Sequence, residues 1–407
     1  MTTLDLALSD EVLQDVYSPG MIRQLNDSLS PLYQLIAEPT AENLHYQGRK
    51  IIHGIHVGRN TSTGSRDEMD DLPEADHQKH DTIETGIKYH YSSIEYTGQV
   101  LRQAVQSPGA FVNRTTEETT RMITDIALEQ CRQLYNDDNG SLATTDSIPV
   151  GQVQSIVFAT NHRIWLLKGT KVDIGTVADP VAGASNVTIA SYSAADSTIT
   201  FKTGDDISGV ISGHFIRKHN SYNATNQRTK ERTGLKSFIH DTSTLHGLDP
   251  AVEPEWASYL GDVSGVLAES DIQILMDTVV INAGNLLPRA YTTHNIMRNF
   301  GNLMEVNKRY VGTLVLESGH TAITVSTGSG TMEMLADRFC PEGEVYAPDP
   351  TAFCRNQVAE WQWMQEDGSV LARLPNKDAY GGTYFCYEEL TIKRRDSHAR
   401  LVNVTEA

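Results

Sequence analysis

The chain has 407 residues, 39% of them hydrophobic, with 52 acidic against 33 basic side chains and a formal net charge of -19. That length exceeds what one compact core usually serves, so two or three lobes are expected. The acidic balance excludes tight binding to duplex nucleic acid, which depends on clustered Lys and Arg. No apolar run approaches the roughly 20 residues of a membrane span, and "MTTLDLALSDEVLQ" lacks the charged and apolar regions of a signal peptide.

In chain order, residues 1–45 are weakly amphipathic and read as an arm without a core of its own. Two strands follow. In "KIIHGIHV", Ile51, His53, Ile55 and Val57 share a face; in "TIETGIKYHYSSIEY", Ile83, Ile87, Tyr89 and Tyr91 alternate with polar residues. Together they predict a long hairpin. Its tip is "GRNTSTGSRDEMDDLPEADHQKHD", which carries Asp67, Glu68, Asp70, Asp71, Glu74, Asp76, His77, His80 and Asp81.

Thr115-x-x-Glu118 can form a capping box for a helix of about six turns. Its apolar stripe is Thr119, Ile123, Ile126, Ala127, Cys131 and Leu134, and Asn139-Gly140 ends it. Residues 155–235 hold short β runs separated by Gly, Asp and Ser, which read as a small inserted β module. Ile272, Leu275, Met276, Val279, Val280 and Ala283 predict a helix stopped by Gly284, and a shorter helix is expected around Thr293 to Phe300. From Tyr310 onward strands dominate.

Chemical motifs are sparse. His77 and His80 could share a face only in a helix, which Pro73 and the flanking strands disfavour, and H-Q-K-H lacks the general base of H-E-x-x-H. D-E-M-D-D lacks the EF-hand pattern. His53 and His56 fall on opposite faces of a strand. Gly328-Ser329-Gly330 has neither a G-K-S/T ending nor a following helix and reads as a strand turn. Trp361 and Trp363 share a strand face and read as packing. Cys131, Cys340, Cys354 and Cys386 have no C-x-x-C spacing and read as reduced, buried thiols. The expectation is no catalytic residue, no metal site and no cofactor. A tip of about 25 residues is long for a compact domain, and an arm without a core gains little in a monomer. Both would be ordered by contact with neighbouring copies.

The order of these parts resembles the major capsid proteins of tailed bacteriophages with the Hong Kong 97-like fold, over nearly the whole chain. The phrases that carry the resemblance are "GRNTSTGSRDEMDDLPEAD" for the E-loop tip and "TEETTRMITDIALEQCRQLYNDDNGSLA" for the spine helix. "GLKSFIHDTSTLHGLDPAVEPEWASYL" and "LAESDIQILMDTVVINAGNLLPRAYTTHNIMRNFGNL" resemble the axial domain. "GEVYAPDPTAFCRNQVAEWQWMQEDGSVLARLPNKDAYGGTYFCYEELTIKRRDSHARLVNV" resembles the terminal strands.

The resemblance implies an α+β fold divided into an N-terminal arm (1–45), an E-loop hairpin (46–97), a spine helix with the start of the peripheral domain (98–154) and an inserted β module (155–235). An axial domain with return strands (236–345) and peripheral and axial terminal strands (346–407) complete it. It implies a non-enzymatic shell subunit that forms pentamers and hexamers of an icosahedral head around double-stranded DNA, assembled in the host bacterial cytoplasm. Implied partners are a separate scaffolding protein, since the arm starts almost at Met1, a portal protein and a decoration protein. Expected inter-subunit contact residues at the tip are Asp67, Glu68, Asp70, Asp71, Pro73 and Lys79, the carboxylates pairing with basic residues across the contact. Some members weld subunits with a Lys–Asn bond; Lys79 and Asn376 would be the conceivable pair, and no such bond is expected. The alternatives are an encapsulin-like nanocompartment shell and a metal-dependent hydrolase using the carboxylate and histidine cluster.

Overall fold

The computed structural model describes residues 28–37, 42–45, 48–100, 102, 114–137, 139–147, 155–158, 165–179, 183–193, 198–223, 228–306, 313–315, 321–364 and 370–406. Most of the arm and residue 310 lie outside these, as does the Thr115 side chain of the expected capping box. The chain divides into two compact units. One holds the described parts of 91–127 and 362–385; the other holds those of 29–90, 128–361 and 386–407.

In the second unit, helix α1 (Pro31–Ala37) and strand β1 (Glu42–His45) precede the hairpin β2 (Lys50–Gly58) and β3 (Lys79–Gly86), whose strands pair antiparallel from Lys50↔Gly86 to Gly58↔Lys79. Strand β4 (Lys88–Thr97) does not extend β3. It leaves the hairpin and pairs with a later strand. The break at Ile87 shifts the pleat by one residue, which turns every following side chain to the other face. Ile83 is therefore buried as expected, but Tyr89 and Tyr91 are exposed, at 61% and 55%, and His90, Ile94 and Tyr96 take the inner positions. Tyr89 instead meets Tyr387 edge-on, with ring centres 5.0 Å apart.

Helix α2 (Arg114–Gln133) covers the expected segment but ends before Asn139-Gly140. Of the expected stripe, Cys131 and Leu134 just past the helix are buried and Ile126 and Ala127 half-buried, whereas Ile123 is 48% exposed; among the described residues Met122, Gln130, Arg132 and Gln133 are buried as well. The apolar stripe marks part of this face, which polar side chains with partners widen.

Six strands form a closed barrel: β5 (Ser141–Ser147), β6 (Ser155–Phe158), β7 (Lys171–Gly175), β8 (Ala184–Ser193), β9 (Thr198–Phe201) and β10 (Phe215–Lys218), in the order β10-β5-β6-β9-β8-β7. Its inside is filled by alternate residues, among them Val172, Ile174, Val187, Ile189, Ile199 and Phe201, as closure of so few strands requires. The barrel thus includes Ser141–Ser147, a polar run without a strand-like pattern.

After the short pair β11 (Tyr222–Asn223) and β12 (Arg228–Thr229) and helix α3 (Leu235–Phe238), the chain builds a seven-stranded mixed sheet. Its members are β13 (Tyr259–Gly265), β14 (Arg289–Thr292), β15 (Thr313–Val315), β16 (Thr321–Ser326), β17 (Thr331–Ala336), β18 (Val345–Ala347) and, after the intervening strands, β22 (Ala399–Val404). Helix α4 (Glu269–Ala283) buries Ile272, Leu275, Met276 and Val279 in the core beside this sheet. Asp271 accepts from the Ala268 N–H at its start, and Gly284, in the left-handed region at φ 72°, ends it. Helix α5 (His294–Val306) runs six residues past the expected end at Phe300. Gly328 to Gly330 form the β16–β17 turn, closed by Thr327 and Gly330 backbone hydrogen bonds.

The strands β19 (Phe353–Trp363), β20 (Ala372–Arg373) and β21 (Ala379–Ile392) join β1 in the order β1-β19-β21-β20. Within the first unit, Gly98 donates to Asp378 O (2.8 Å), Met364 to Thr383 O (2.8 Å), and the rings of Trp363 and Tyr384 meet at a tilt of 56° with centres 5.1 Å apart. All four cysteines are buried.

Candidate assembly loop

The hairpin base is tied to its own unit through polar groups. Glu84 N–H donates to His246 O (3.1 Å), and Thr391 Oγ1 donates to Thr85 Oγ1 (2.8 Å) while accepting from Asn356 Nδ2 (2.6 Å). Ile51, Ile83 and Thr85 are buried; Lys50 and Glu84 form an exposed ion pair across the strands. His53 is half-buried and His56 exposed, on opposite faces as their spacing requires.

Above the paired strands, Asp76 closes the neck of the loop. Its carboxylate accepts from Thr61 N (2.9 Å), Thr61 Oγ1 (2.6 Å) and His77 N (2.8 Å), and its carbonyl accepts from Asn60 Nδ2 (2.6 Å). The Thr61 hydrogen bonds favour the ionised form and hold this carboxyl down at about 2, from an ordinary 3.8. Sequence reading grouped Asp76 with the other acids. Its distinct role depends on pairing with Thr61, fifteen positions away.

Beyond the neck, the loop's hydrogen bonds among the described residues are local. Asp70 N–H donates to Asp67 O and Asp67 N–H to Asp70 Oδ2, both at 3.2 Å, and Arg66 Nε donates to Asp71 O at 3.0 Å. Ser65, Arg66, Asp67, Asp70, Asp71, Leu72 and Glu74 surround an open hollow of about 550 Å³. Asp67, Glu68, Asp70 and Asp71 are all exposed, and among the described residues no salt bridge engages them. Pro73 is half-buried. Lys79 is exposed and belongs to β3, opposite Gly58, not to the tip proper. Asn376, at φ 60° in the β20–β21 turn, belongs to the other unit from Lys79.

Two tip residues that a search for charged chemistry passes over are the most exposed apolar side chains of the hairpin. Met69 is 99% exposed, in the left-handed region at φ 69°, and Leu72 is 85% exposed. The carboxylates surround them. An acidic loop presenting Met and Leu can desolvate against a surface; it offers no nucleophile or general base with a positioned partner. Among the described residues there is no group of three or more His, Cys, Asp or Glu that could hold a metal ion, and no helix is long and apolar enough to cross a membrane.

No protein-family model matches the sequence and no curated protein matches it. Solved structures do. The capsid asymmetric unit of cyanophage A-1(L) superposes with a TM-score of 0.59 at 10% identity, covering 99% of this chain and all of that one. The chain has the fold of a bacteriophage capsid protein. The capsid of a native GTA particle matches the same capsid fold with a TM-score of 0.52 at 9% identity over the full length of both chains. A structure of Mycobacterium phage Bobi matches with 0.51 at 8% identity, covering 98% of this chain and 99% of that one. At such identities the capsid fold is held by pattern and pairing, not by shared residues.

Proposed function

We propose that the chain is the major capsid protein of a tailed bacteriophage, a non-enzymatic subunit that assembles into pentamers and hexamers of an icosahedral head enclosing double-stranded DNA. The observation that carries this reading is end-to-end likeness to the cyanophage capsid structure, covering 99% of this chain and all of that one. The Hong Kong 97-like parts map onto this chain as the arm (1–45), the E-loop hairpin (46–97), the spine helix segment (98–154), the β module (155–235), the axial domain (236–345) and the terminal strands (346–407). The head forms in the host cytoplasm with a separate scaffolding protein, a portal and, on some heads, a decoration protein.

In this reading the hairpin reaches a neighbouring copy. Asp67, Glu68, Asp70 and Asp71 meet basic residues there, with Pro73 and Lys79 at the edge of the contact, and Met69 and Leu72 supply its apolar centre. The net charge of -19 lets packaged DNA slide rather than adhere. Particles isolated with this chain as their main component should protect double-stranded DNA from nuclease. Particles filled with a packaged enzyme and no DNA would replace this reading with a nanocompartment shell. A denaturing gel of mature heads should show monomer only; a ladder would establish Lys–Asn cross-links.

A further inference from the structure

Along the chain, neither His77 with His80 nor His53 with His56 offers two imidazoles to one point. Strand pairing makes a different pair. His56 of β2 and His80 of β3 are directly opposite each other in the antiparallel register, and both are exposed. Their ring centres are 5.2 Å apart with the planes inclined at 52°. Opposite residues on one face of an antiparallel pair are near enough for their side chains to act together. Two imidazoles on one tetrahedral zinc ion, each nitrogen about 2.0–2.1 Å from the metal, have ring centres about 5 Å apart. The rings therefore already stand at the separation that shared coordination requires. The amide oxygen of Gln78 is 2.7 Å from His56 Nε2, so an oxygen donor stands at the same edge.

We infer that His56 and His80 bind a divalent transition-metal ion, zinc or one of its imidazole-preferring neighbours, as a clip across the hairpin directly beneath the tip loop. Imidazole suits Zn, Cu and Ni, while a carboxylate cluster would suit Mg or Ca. With two imidazoles, one amide oxygen and solvent completing the shell, this is an open site of moderate affinity, not a closed four-ligand structural centre. Metal there would join two strands separated by 23 intervening residues and restrict the tip loop. The inference stands on the hairpin geometry and does not depend on the shell reading.

The test is a calorimetric titration of the untagged, chelator-treated full chain with Zn(II), repeated with Co(II) while following its visible absorption. One Zn(II) per chain is expected, with a Kd in the micromolar range, and Co(II) should develop the intense bands of a tetrahedral site. H56A and H80A should each weaken Zn(II) binding at least tenfold, whereas H77A should leave it unchanged. Both paired histidines are exposed, so circular dichroism should show the variants folded. Absence of saturable binding, or full binding retained by H56A or by H80A, would overturn the inference.

Discussion

Glu388 is fully buried and takes Arg232, Arg355 (Nη2 at 2.6 Å), Gln130 Nε2 (3.2 Å) and Gln357 Nε2 (3.0 Å) together. Nearby, Arg132 is held between Glu129 and Glu231, the latter at 2.7 Å. Removing one charge from such a set strands the others, which costs about 3–5 kcal/mol in buried pairs. Glu388→Gln should therefore lower the unfolding free energy of the unassembled chain by roughly 3 kcal/mol in urea; a loss below about 0.5 kcal/mol, the level of an ordinary surface change, would refute this network. The neighbouring Glu389 behaves differently. It accepts from the Thr233 and Leu390 N–H groups, and burial pushes its carboxyl up to about 7 from 4.5. Between those values the unfolded chain ionises this group first, so stability falls as pH rises from about 4.5 through 7. Glu389→Gln should flatten that fall. At Asp76 the sign is opposite. Its folded value of about 2 lies below the ordinary 3.8, so its contribution is present above pH 3.8 and is lost as pH falls towards 2. Asp76→Asn should open the neck at neutral pH, read as faster amide exchange at residues 61 and 77; exchange identical to the parent chain would remove this role.

At the scale of elements, the hairpin joins two kinds of contact whose magnitudes differ. Each exposed carboxylate pair contributes at most ~1 kcal/mol and is screened by salt, while burying a Leu or Met side chain contributes about 1.5–3 kcal/mol. Replacing Met69 with Gln and Leu72 with Asn should raise the concentration needed for assembly about tenfold or more, without lowering monomer stability. Neutralising Asp67, Glu68, Asp70 and Asp71 together should weaken assembly at moderate salt only. If both variants assembled like the parent, the tip would not be a contact. The hairpin was legible in sequence because β2 alternates cleanly and Ile83 keeps its phase. The reversal at Ile87 was not, since it comes from one extra backbone residue with no compositional mark. The polar part of the buried α2 face was not legible either. Gln130 and Arg132 look like solvent residues until Glu388 and Glu231 arrive from distant parts of the chain, while Glu129, one turn away on the same helix, holds Arg132 and Gln133. Helix α4 was legible almost to the residue because its buried face is wholly apolar and Gly284 stops it.

For the whole molecule, structural likeness over the full length places the chain among capsid folds, while no identity above 10% accompanies the matches reported. Within this chain the parts follow in the order hairpin, long helix, barrel, mixed sheet and long terminal strands. The paired strands around Ile51 and Ile83, the long helix and α4 could be read from pattern, whereas barrel closure, the neck at Asp76 and the His56–His80 pair required the fold. The measurement that tests the central proposal most directly is electron microscopy with light scattering on the purified chain, alone and with a scaffolding protein. Shells, tubes or capsomer rings of megadalton mass are predicted. A chain that stays monomeric under both conditions would contradict the shell reading.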